Sequence, residues 1–193
     1  IRYAQESRGL GDVYKRQVFF SHPNDFSPIC TTEIIGLAKA DTYFKKINTE
    51  LIGISVDSLN SHLAWLYDIY LKTGLIVNFP IIADQNGVIA RKYGMISNDV
   101  SSTETVRNIF IIDDKGIIRS IFVYPMNIGR YIPEILRTVT ALQYSDQNNC
   151  MTPANWSPGN PMIVPPPKTF NALRERNESI NTVSYTHLRA HET

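Results

Sequence analysis

The segment ELIGISVD, residues 50–57, restricts the fold of this chain more than any other feature of the sequence. It is a short, continuous apolar run with β-branched residues, which is typical of a strand buried on both faces of its sheet. Such a strand needs other elements packed over both sides. Helical patterns precede and follow the run, so it predicts an α/β fold with this strand inside a central sheet.

The rest of the sequence alternates between strand and helix patterns. It predicts a strand at 18–21, a helix from Ser27, a helix at 61–72, a short strand at 78–84, a short helix at 87–94, a hairpin of 105–113 and 117–125 around DKG, and a last helix at 130–143. This order predicts a mixed sheet that is covered by helices.

The two ends of the chain can be read from opposite strands of one DNA sequence. With one choice of codons for residues 7–17 (SRGLGDVYKRQ), the reverse complement translates as VSYTHLRAHE, which is residues 183–192. The DNA resembles a sequencing adapter, and such segments are excluded from fold reasoning. We therefore expect residues 1–17 and 183–193 to be adapter-derived, and residues 18–182 to be an internal fragment that lacks its N-terminal strands. We expect this fragment to be poorly stable and weakly active.

The charge of the chain changes sign when these ends are removed. The whole chain has a formal net charge of +1, and the ends hold five basic and three acidic residues, which leaves −1. This balance gives no indication of binding to nucleic acid or to an anionic membrane. No apolar run is long enough to span a bilayer. Two distant cysteines form no disulfide framework, which favours a reducing, cytoplasmic location.

The composition shifts after Gln143. The segment MTPANWSPGNPMIVPPPKTF, residues 151–170, is rich in proline and has neither helical nor strand periodicity. It predicts an extended C-terminal arm rather than a second core. A disordered linker is the alternative, but Trp156 and Met162 favour packing against a surface, for example that of another subunit. We therefore expect one domain at 18–143 and an arm at 144–182.

Cys30 lies in SHPNDFSPICTTE, residues 21–33. Ser27 can serve as a helix N-cap and Pro28 suits the first helical position, which places Cys30 in the first turn. There the unpaired N–H groups and the helix dipole favour a negatively charged sulfur, the nucleophilic form of a thiol. A small buried residue is the alternative interpretation. The segment has no C-x-x-C pair, and His22 and Cys30 lack further ligands at metal-site spacing, so no metal site is expected.

Arg107 interrupts the apolar strand pattern TVRNIFIID. A buried guanidinium needs an anion beside it. A thiolate with an oxygen-containing substrate would meet that need, and so would a structural ion pair with Glu33 or Asp84. The sequence leaves both interpretations open. Arg130 stands at a predicted helix start, against the preference of the helix dipole, and an ordinary surface position is its simplest explanation.

These residues resemble the active-site signature of the peroxiredoxins, Pro-x-x-x-Thr/Ser-x-x-Cys, which Pro23, Ser27 and Cys30 match. The resemblance covers nearly all of residues 18–168. Five later blocks are similar to the one-cysteine, peroxiredoxin-6-like branch and occur in the same order: LIGISVDSLNSHLAW, FPIIAD, TVRNIFIID, YPMNIGRYIPEILR and TPANWSPGNPMIVPPPKT.

The resemblance implies a thioredoxin-like fold and a peroxidase that reduces hydrogen peroxide and organic hydroperoxides without a cofactor, in antioxidant defence. Cys30 would be the peroxidatic cysteine, which attacks a peroxide oxygen and becomes a sulfenic acid. Pro23 would shield the sulfur from water, Ser27 would hydrogen-bond the peroxide, and Arg107 would hold the thiolate and substrate oxygens. The substrate pocket would also include His22, Arg130 and Glu33.

The family also implies an external thiol reductant, of thioredoxin type or another, and a homodimer or a ring of dimers. Cys150 does not match a known resolving position, so one-cysteine and two-cysteine mechanisms both remain open. The alternative function is a thioredoxin-fold binding or holdase-type module in which Cys30 is inert. A scaffold that only dimerises is a third possibility.

Overall fold

The computed structural model describes residues 15–96, 103–178 and 188–189. The chain divides into two compact units, Ile1–Ile132 and Pro133–Thr193. The first unit contains β1 (Arg16–Ser21), α1 (Pro28–Lys46), β2 (Thr49–Ser55), α2 (Leu59–Thr73), β3 (Ile81–Ala83), α3 (Val88–Lys92), β4 (Arg107–Ile112) and β5 (Ile118–Tyr124). The remaining elements are α4 (Ile132–Asn148), β6 (Met162–Ile163), α5 (Phe170–Glu178) and β7 (Leu188–Arg189).

The first unit is built on a five-stranded sheet in the order β3-β2-β1-β4-β5. Strands β1, β2 and β3 are parallel, whereas β4 runs antiparallel to β1 and β5 antiparallel to β4. The mixed α/β sheet predicted from the sequence is therefore confirmed, with the 50–57 segment forming β2 in its interior. The hairpin between β4 and β5 is confirmed as well.

Helices α1 and α2 connect the parallel strands. Because β1, β2 and β3 follow one another in the same direction across the sheet, right-handed crossovers place both helices on the same face. The apolar side of α1 includes Ile34, Leu37 and Phe44, each at most 1 % exposed. Every residue of β4 is buried, so both faces of the sheet are covered at that strand.

A second apolar cluster covers the opposite face of the sheet. Phe19 and Phe110 from adjacent strands pack there with Ala90 and Met95 from α3 and the segment after it. The ring of Tyr93 makes edge contacts with both phenylalanines, at centroid distances of 5.1 and 5.5 Å. Side chains of even and odd number in a strand point to opposite faces, which is why Phe19 and its neighbour Phe20 belong to different layers.

The second unit has its own small apolar cluster. Trp156 and Met162, both 1 % exposed, pack with Ala141 and Cys150, and Tyr144 adds to the cluster. The arm residues predicted to avoid water therefore pack within their own unit. Helix α5 was not predicted, and β6 is only two residues long.

The segments predicted to derive from an adapter lie mostly outside the described residues. Residues 16 and 17 begin β1, and Leu188–Arg189 pair with Met162–Ile163. Backbone hydrogen bonds between strands form with almost any side chain, so this pairing does not test where the segments come from. Their adapter origin stays a prediction. Among the described residues, no helix is both long and apolar enough to cross a membrane.

Replacing Ile109 by alanine should lower the free energy of unfolding by about 2–5 kcal/mol, because a fully buried side chain leaves a cavity in the central sheet. Urea denaturation followed by circular dichroism measures this. Ile76→Ala is the matched control: Ile76 is 62 % exposed and its loss should change stability by less than about 0.5 kcal/mol. Equal losses for the two variants would contradict the described packing.

Candidate active site

Cys30 occupies the first turn of α1, as the sequence predicts. Ser27 is the N-cap with an extended backbone, and Pro28 is the first helical residue. The Ser27 carbonyl accepts a hydrogen bond from the Thr31 N–H at 2.9 Å, whereas the Ser27 hydroxyl makes no capping bond. The Cys30 side chain is fully buried. The positive end of the helix dipole thus lies beside a sulfur that is shielded from bulk water.

Arg107 is the first residue of β4 and is directed to the same site. Its Nη1 lies 3.4 Å from the Cys30 sulfur and 2.7 Å from a Glu33 carboxylate oxygen. Its Nε donates to the carbonyl of Met126 at 3.0 Å. The side chain is 2 % exposed. Of the two interpretations open from the sequence, the ion pair with Glu33 is observed, and the same nitrogen also contacts the Cys30 sulfur.

The other candidate partner of Arg107, Asp84, has a different role. Its carboxylate accepts hydrogen bonds from the N–H groups of Val88 and Ala90, at 3.0 and 2.7 Å, and so caps α3. The ion pair considered between Arg107 and Asp84 is therefore wrong. The partner of Arg107 is Glu33.

Glu33 follows Cys30 by three residues, so the two side chains lie on one face of α1. Besides Arg107, its carboxylate accepts hydrogen bonds from Nε, Nη2 and the backbone N–H of Arg130, at 2.9, 2.7 and 2.9 Å. A further nitrogen of Arg130 donates to the Ser21 carbonyl at 2.9 Å. Arg130 is 6 % exposed, so the surface position considered for it is wrong. It precedes α4, which begins at Ile132, and its charge serves a buried ion pair.

These contacts leave one positive charge in excess. Burial by itself raises the pKa of Glu33, but the hydrogen bonds and charge of Arg130, with the charge of Arg107, hold that pKa below its usual value. Glu33 is therefore ionised at neutral pH and neutralises one of the two guanidinium groups. A second anion at Cys30 would neutralise the other. The Cys30 sulfur thus lies beside a buried charge cluster with an excess of one positive charge.

A second buried cluster flanks this site. His22 Nε2 lies 2.9 Å from Asp25 Oδ1, and His62 Nδ1 lies 2.8 Å from Asp25 Oδ2. Burial lowers the pKa of His22 and keeps the ring neutral. Burial raises the pKa of Asp25, but hydrogen bonds from the two histidines outweigh it and the net shift is downward. Pro23, which lies between His22 and Asp25 in sequence, is also buried.

Sequence reasoning assigned no role to Asp25 or His62. His62 is contributed by α2, and no local spacing links it to His22, 40 positions earlier. The sequence signal for this cluster is weak, namely the occurrence of both histidines and the aspartate next to predicted element ends. Cys150 belongs to the second unit, and both cysteines are free thiols.

Replacing Glu33 by glutamine should destabilise the fold by about 3–5 kcal/mol at pH 7, because it leaves two buried guanidinium groups without an anion. The pKa of Glu33 is lower in the folded than in the unfolded chain, where it is about 4.3. The stability from its ionised form is thus complete above about pH 5 and is lost as the pH falls through the folded pKa. Urea denaturation between pH 3 and 8 measures both effects.

The matched control is Glu134→Gln. Glu134 pairs with Arg137 at 2.6 Å, but both side chains are 35 % exposed, so the loss should stay below about 1 kcal/mol. A Glu33→Gln variant that is no less stable than this control, or a stability difference from the parent that does not shrink below pH 4, would contradict the described charge cluster.

Comparison with protein families places two matches along the chain. The AhpC/TSA family matches residues 5–121, and the C-terminal domain of 1-Cys peroxiredoxin matches residues 141–179. Peroxiredoxin 2 of Caldanaerobacter subterraneus subsp. tengcongensis is 52 % identical over 169 residues, which cover 88 % of this chain and 76 % of that protein. Peroxiredoxin 2 of Picrophilus torridus is 48 % identical over 186 residues, covering 94 % and 92 %.

Solved structures agree with these matches. A yeast mitochondrial 1-Cys peroxiredoxin superposes with a TM-score of 0.81 at 38 % identity and covers 92 % of this chain and 87 % of its own. A cysteine-to-serine mutant of peroxiredoxin 6 from Arenicola marina gives a TM-score of 0.76 at 34 % identity, covering 84 % and 76 %. The thioredoxin-like fold class is confirmed. The chain belongs to the peroxiredoxin family and is a thiol-dependent peroxidase.

Proposed function

We propose that Cys30 is the peroxidatic residue of this peroxidase. The observation that carries the proposal is the position of Arg107, whose Nη1 lies 3.4 Å from the Cys30 sulfur while it also pairs with Glu33. A guanidinium that is only half neutralised by a carboxylate stabilises a thiolate beside it. The helix N-terminus adds to this effect.

The proposed reaction is a nucleophilic displacement on a peroxide oxygen. The Cys30 thiolate attacks one oxygen, a sulfur–oxygen bond forms, and the O–O bond breaks. The sulfur becomes a sulfenic acid, and the departing hydroxide or alkoxide takes up a proton to leave as water or alcohol. Charge moves from sulfur to the departing oxygen, so the N–H donors of Arg107 stabilise both the reactant and the transition state.

The other residues of the site have supporting roles in this proposal. Ser27, whose hydroxyl makes no capping bond, donates a hydrogen bond to the peroxide. Pro23 is buried and excludes water from the sulfur. Glu33 and Arg130 hold Arg107 in place through their shared ion pair. We assign His22, the buried neighbour of Pro23, to the lining of the same pocket.

We propose that an external thiol reduces the sulfenic acid. Cys150 packs with Trp156 and Met162 in the apolar cluster of the second unit, and we assign it no part in this step. In the yeast mitochondrial 1-Cys peroxiredoxin, the thiol is resolved via glutathione and thioredoxin systems, which supports a reductant of this chemical class. A homodimer or a ring of dimers, a cytoplasmic location and the fragment boundaries at 18 and 182 stay predictions. The family match does not favour the holdase-type alternative.

One equivalent of hydrogen peroxide should oxidise Cys30 selectively. Trapping of the sulfenic acid with a dimedone-type reagent, followed by peptide mass spectrometry, locates the modified thiol. Cys150→Ser is the matched variant and should label as the parent does, because Cys150 takes no part in the step. Cys30→Ser should lose the label. Labelling of Cys150 as fast as that of Cys30 would contradict the proposal.

Replacing Arg107 by methionine should slow peroxide oxidation of Cys30 by about 10²–10³-fold, the usual cost of losing a donor aimed at a developing charge. The oxidation rate is measured by stopped-flow kinetics in which the protein competes for hydrogen peroxide with a scavenger of known rate constant. Arg119→Met is the control, since Arg119 pairs with Asp113 at the β4–β5 turn. A decrease of the same size in both variants would show a general effect on the fold and contradict the assigned role.

A further inference from the structure

His22, Asp25 and His62 form the one group of three or more potential ligand side chains that converge within the described residues. One ligand atom from each lies within 4.8 Å of the other two. All three side chains are at most 2 % exposed. The peroxidase mechanism uses only His22 among them, as a lining residue, and leaves the convergence of the three unexplained.

The donor set suits a divalent ion of the zinc type. Two imidazole nitrogens and a carboxylate oxygen are ligands that Zn²⁺ and its neighbours accept, with further positions left for water. Ligand atoms around a tetrahedral ion with bonds of about 2.1 Å lie about 3.4 Å apart. The two nitrogen–oxygen distances are 2.9 and 2.8 Å, and the third pair is within 4.8 Å, so shifts of the order of 1 Å accommodate the ion.

The positions of the ring protons also allow a metal ion to replace the hydrogen bonds between the histidines and Asp25. The outer nitrogens, His22 Nδ1 and His62 Nε2, are buried and have no hydrogen-bond partner among the described residues. A ring that carries its proton on the inner nitrogen can therefore move it to the outer nitrogen without breaking a hydrogen bond on the outer side. The inner lone pairs then face the ion, which replaces the two hydrogen bonds to Asp25.

The charge of the site points the same way. Asp25 is a carboxylate whose side chain is 1 % exposed, and the ring nitrogens of His22 and His62 lie 2.9 and 2.8 Å from its oxygens. A divalent cation held by these three side chains would place positive charge beside this buried carboxylate.

The ligands are held in place by separate anchors. The Asp25 N–H donates to Asp57 at 3.1 Å, and the carbonyl of His22 accepts a hydrogen bond from the Thr105 hydroxyl. His62 lies in the first turn of α2, which is capped by the Ser58 side chain. Such outer contacts orient ligands before an ion arrives.

We propose that His22 Nε2, the Asp25 carboxylate and His62 Nδ1 form a binding site for one divalent transition-metal ion, with Zn²⁺ as its typical occupant. The site goes beyond the peroxidase activity and does not use the Cys30 sulfur. An ion there links α2 to the segment from His22 to Asp25, which includes Pro23.

Isothermal titration of the full chain with Zn²⁺, without a polyhistidine tag, tests the site. We expect one ion per chain, at least ten-fold weaker binding for His62→Asn and for Asp25→Asn, and unchanged binding for Cys30→Ser. The double variant His187→Asn/His191→Asn is the matched control, because it removes the only other histidines of the chain. Its affinity should equal that of the parent. Near-ultraviolet circular dichroism, which reports the packing of the aromatic side chains, verifies that each variant is folded.

A second measurement needs no change within the cluster. Zinc-edge X-ray absorption of the His187→Asn/His191→Asn protein should show two imidazole ligands, oxygen and no sulfur. The absence of binding in the parent, loss of binding in the tail double variant or in Cys30→Ser, retention in folded His62→Asn, or sulfur in the coordination shell would each overturn the proposal.

Discussion

The ion pair between Glu33 and two buried arginines is the interaction on which the rest of the site depends. A single carboxylate on α1 accepts hydrogen bonds from Arg107 at the start of β4 and from Arg130 in the segment before α4. Arg130 also reaches the last carbonyl of β1 at Ser21. Four parts of the chain, namely α1, the start of β4, the segment before α4 and the end of β1, are thereby joined at one point. The two guanidinium groups could not be buried there without the carboxylate.

The charge count at this point supports the proposed role of the thiol. Two guanidinium groups and one carboxylate leave a positive charge beside Cys30, in the first turn of a helix whose N–H groups have no intrahelical partners. An ion pair with equal numbers of positive and negative groups would leave no positive charge for the sulfur. In the proposed mechanism, the same contacts that stabilise the fold also assist the chemistry at Cys30.

The neighbouring histidine–aspartate cluster is built around a buried carboxylate instead. Asp25 contacts the ring nitrogens of His22 and His62. The proposals for the two centres therefore differ in sign: an anion at Cys30 in the first, and a cation between His22 and His62 in the second. His22 and Pro23 belong to one short segment of chain, so an ion at the proposed site would be bound by the segment that contains Pro23.

Local sequence patterns were sufficient for the elements and for the position of the thiol. The apolar run of β2, the N-cap at Ser27 and the hairpin around DKG depend on residues close together in sequence, and each was predicted correctly. The arm was predicted less well, since α5 was missed. Its weak amphipathic pattern follows a proline-rich stretch that predicted only extended structure.

The partners of the charged residues were decided by the tertiary structure alone. The residues alone identified Arg107 as one that needs an anion, but they left Glu33 and Asp84 both open as partners. They gave a surface position as the simplest explanation of Arg130, which only the family resemblance put in the substrate pocket. Glu33 lies 74 residues from Arg107 and 97 from Arg130, and only the order of the strands in the sheet brings them together. Likewise His62 meets Asp25 because the crossover helix α2 returns over the sheet. Short-range periodicity determines which elements form, whereas the choice among distant ion partners depends on how those elements pack.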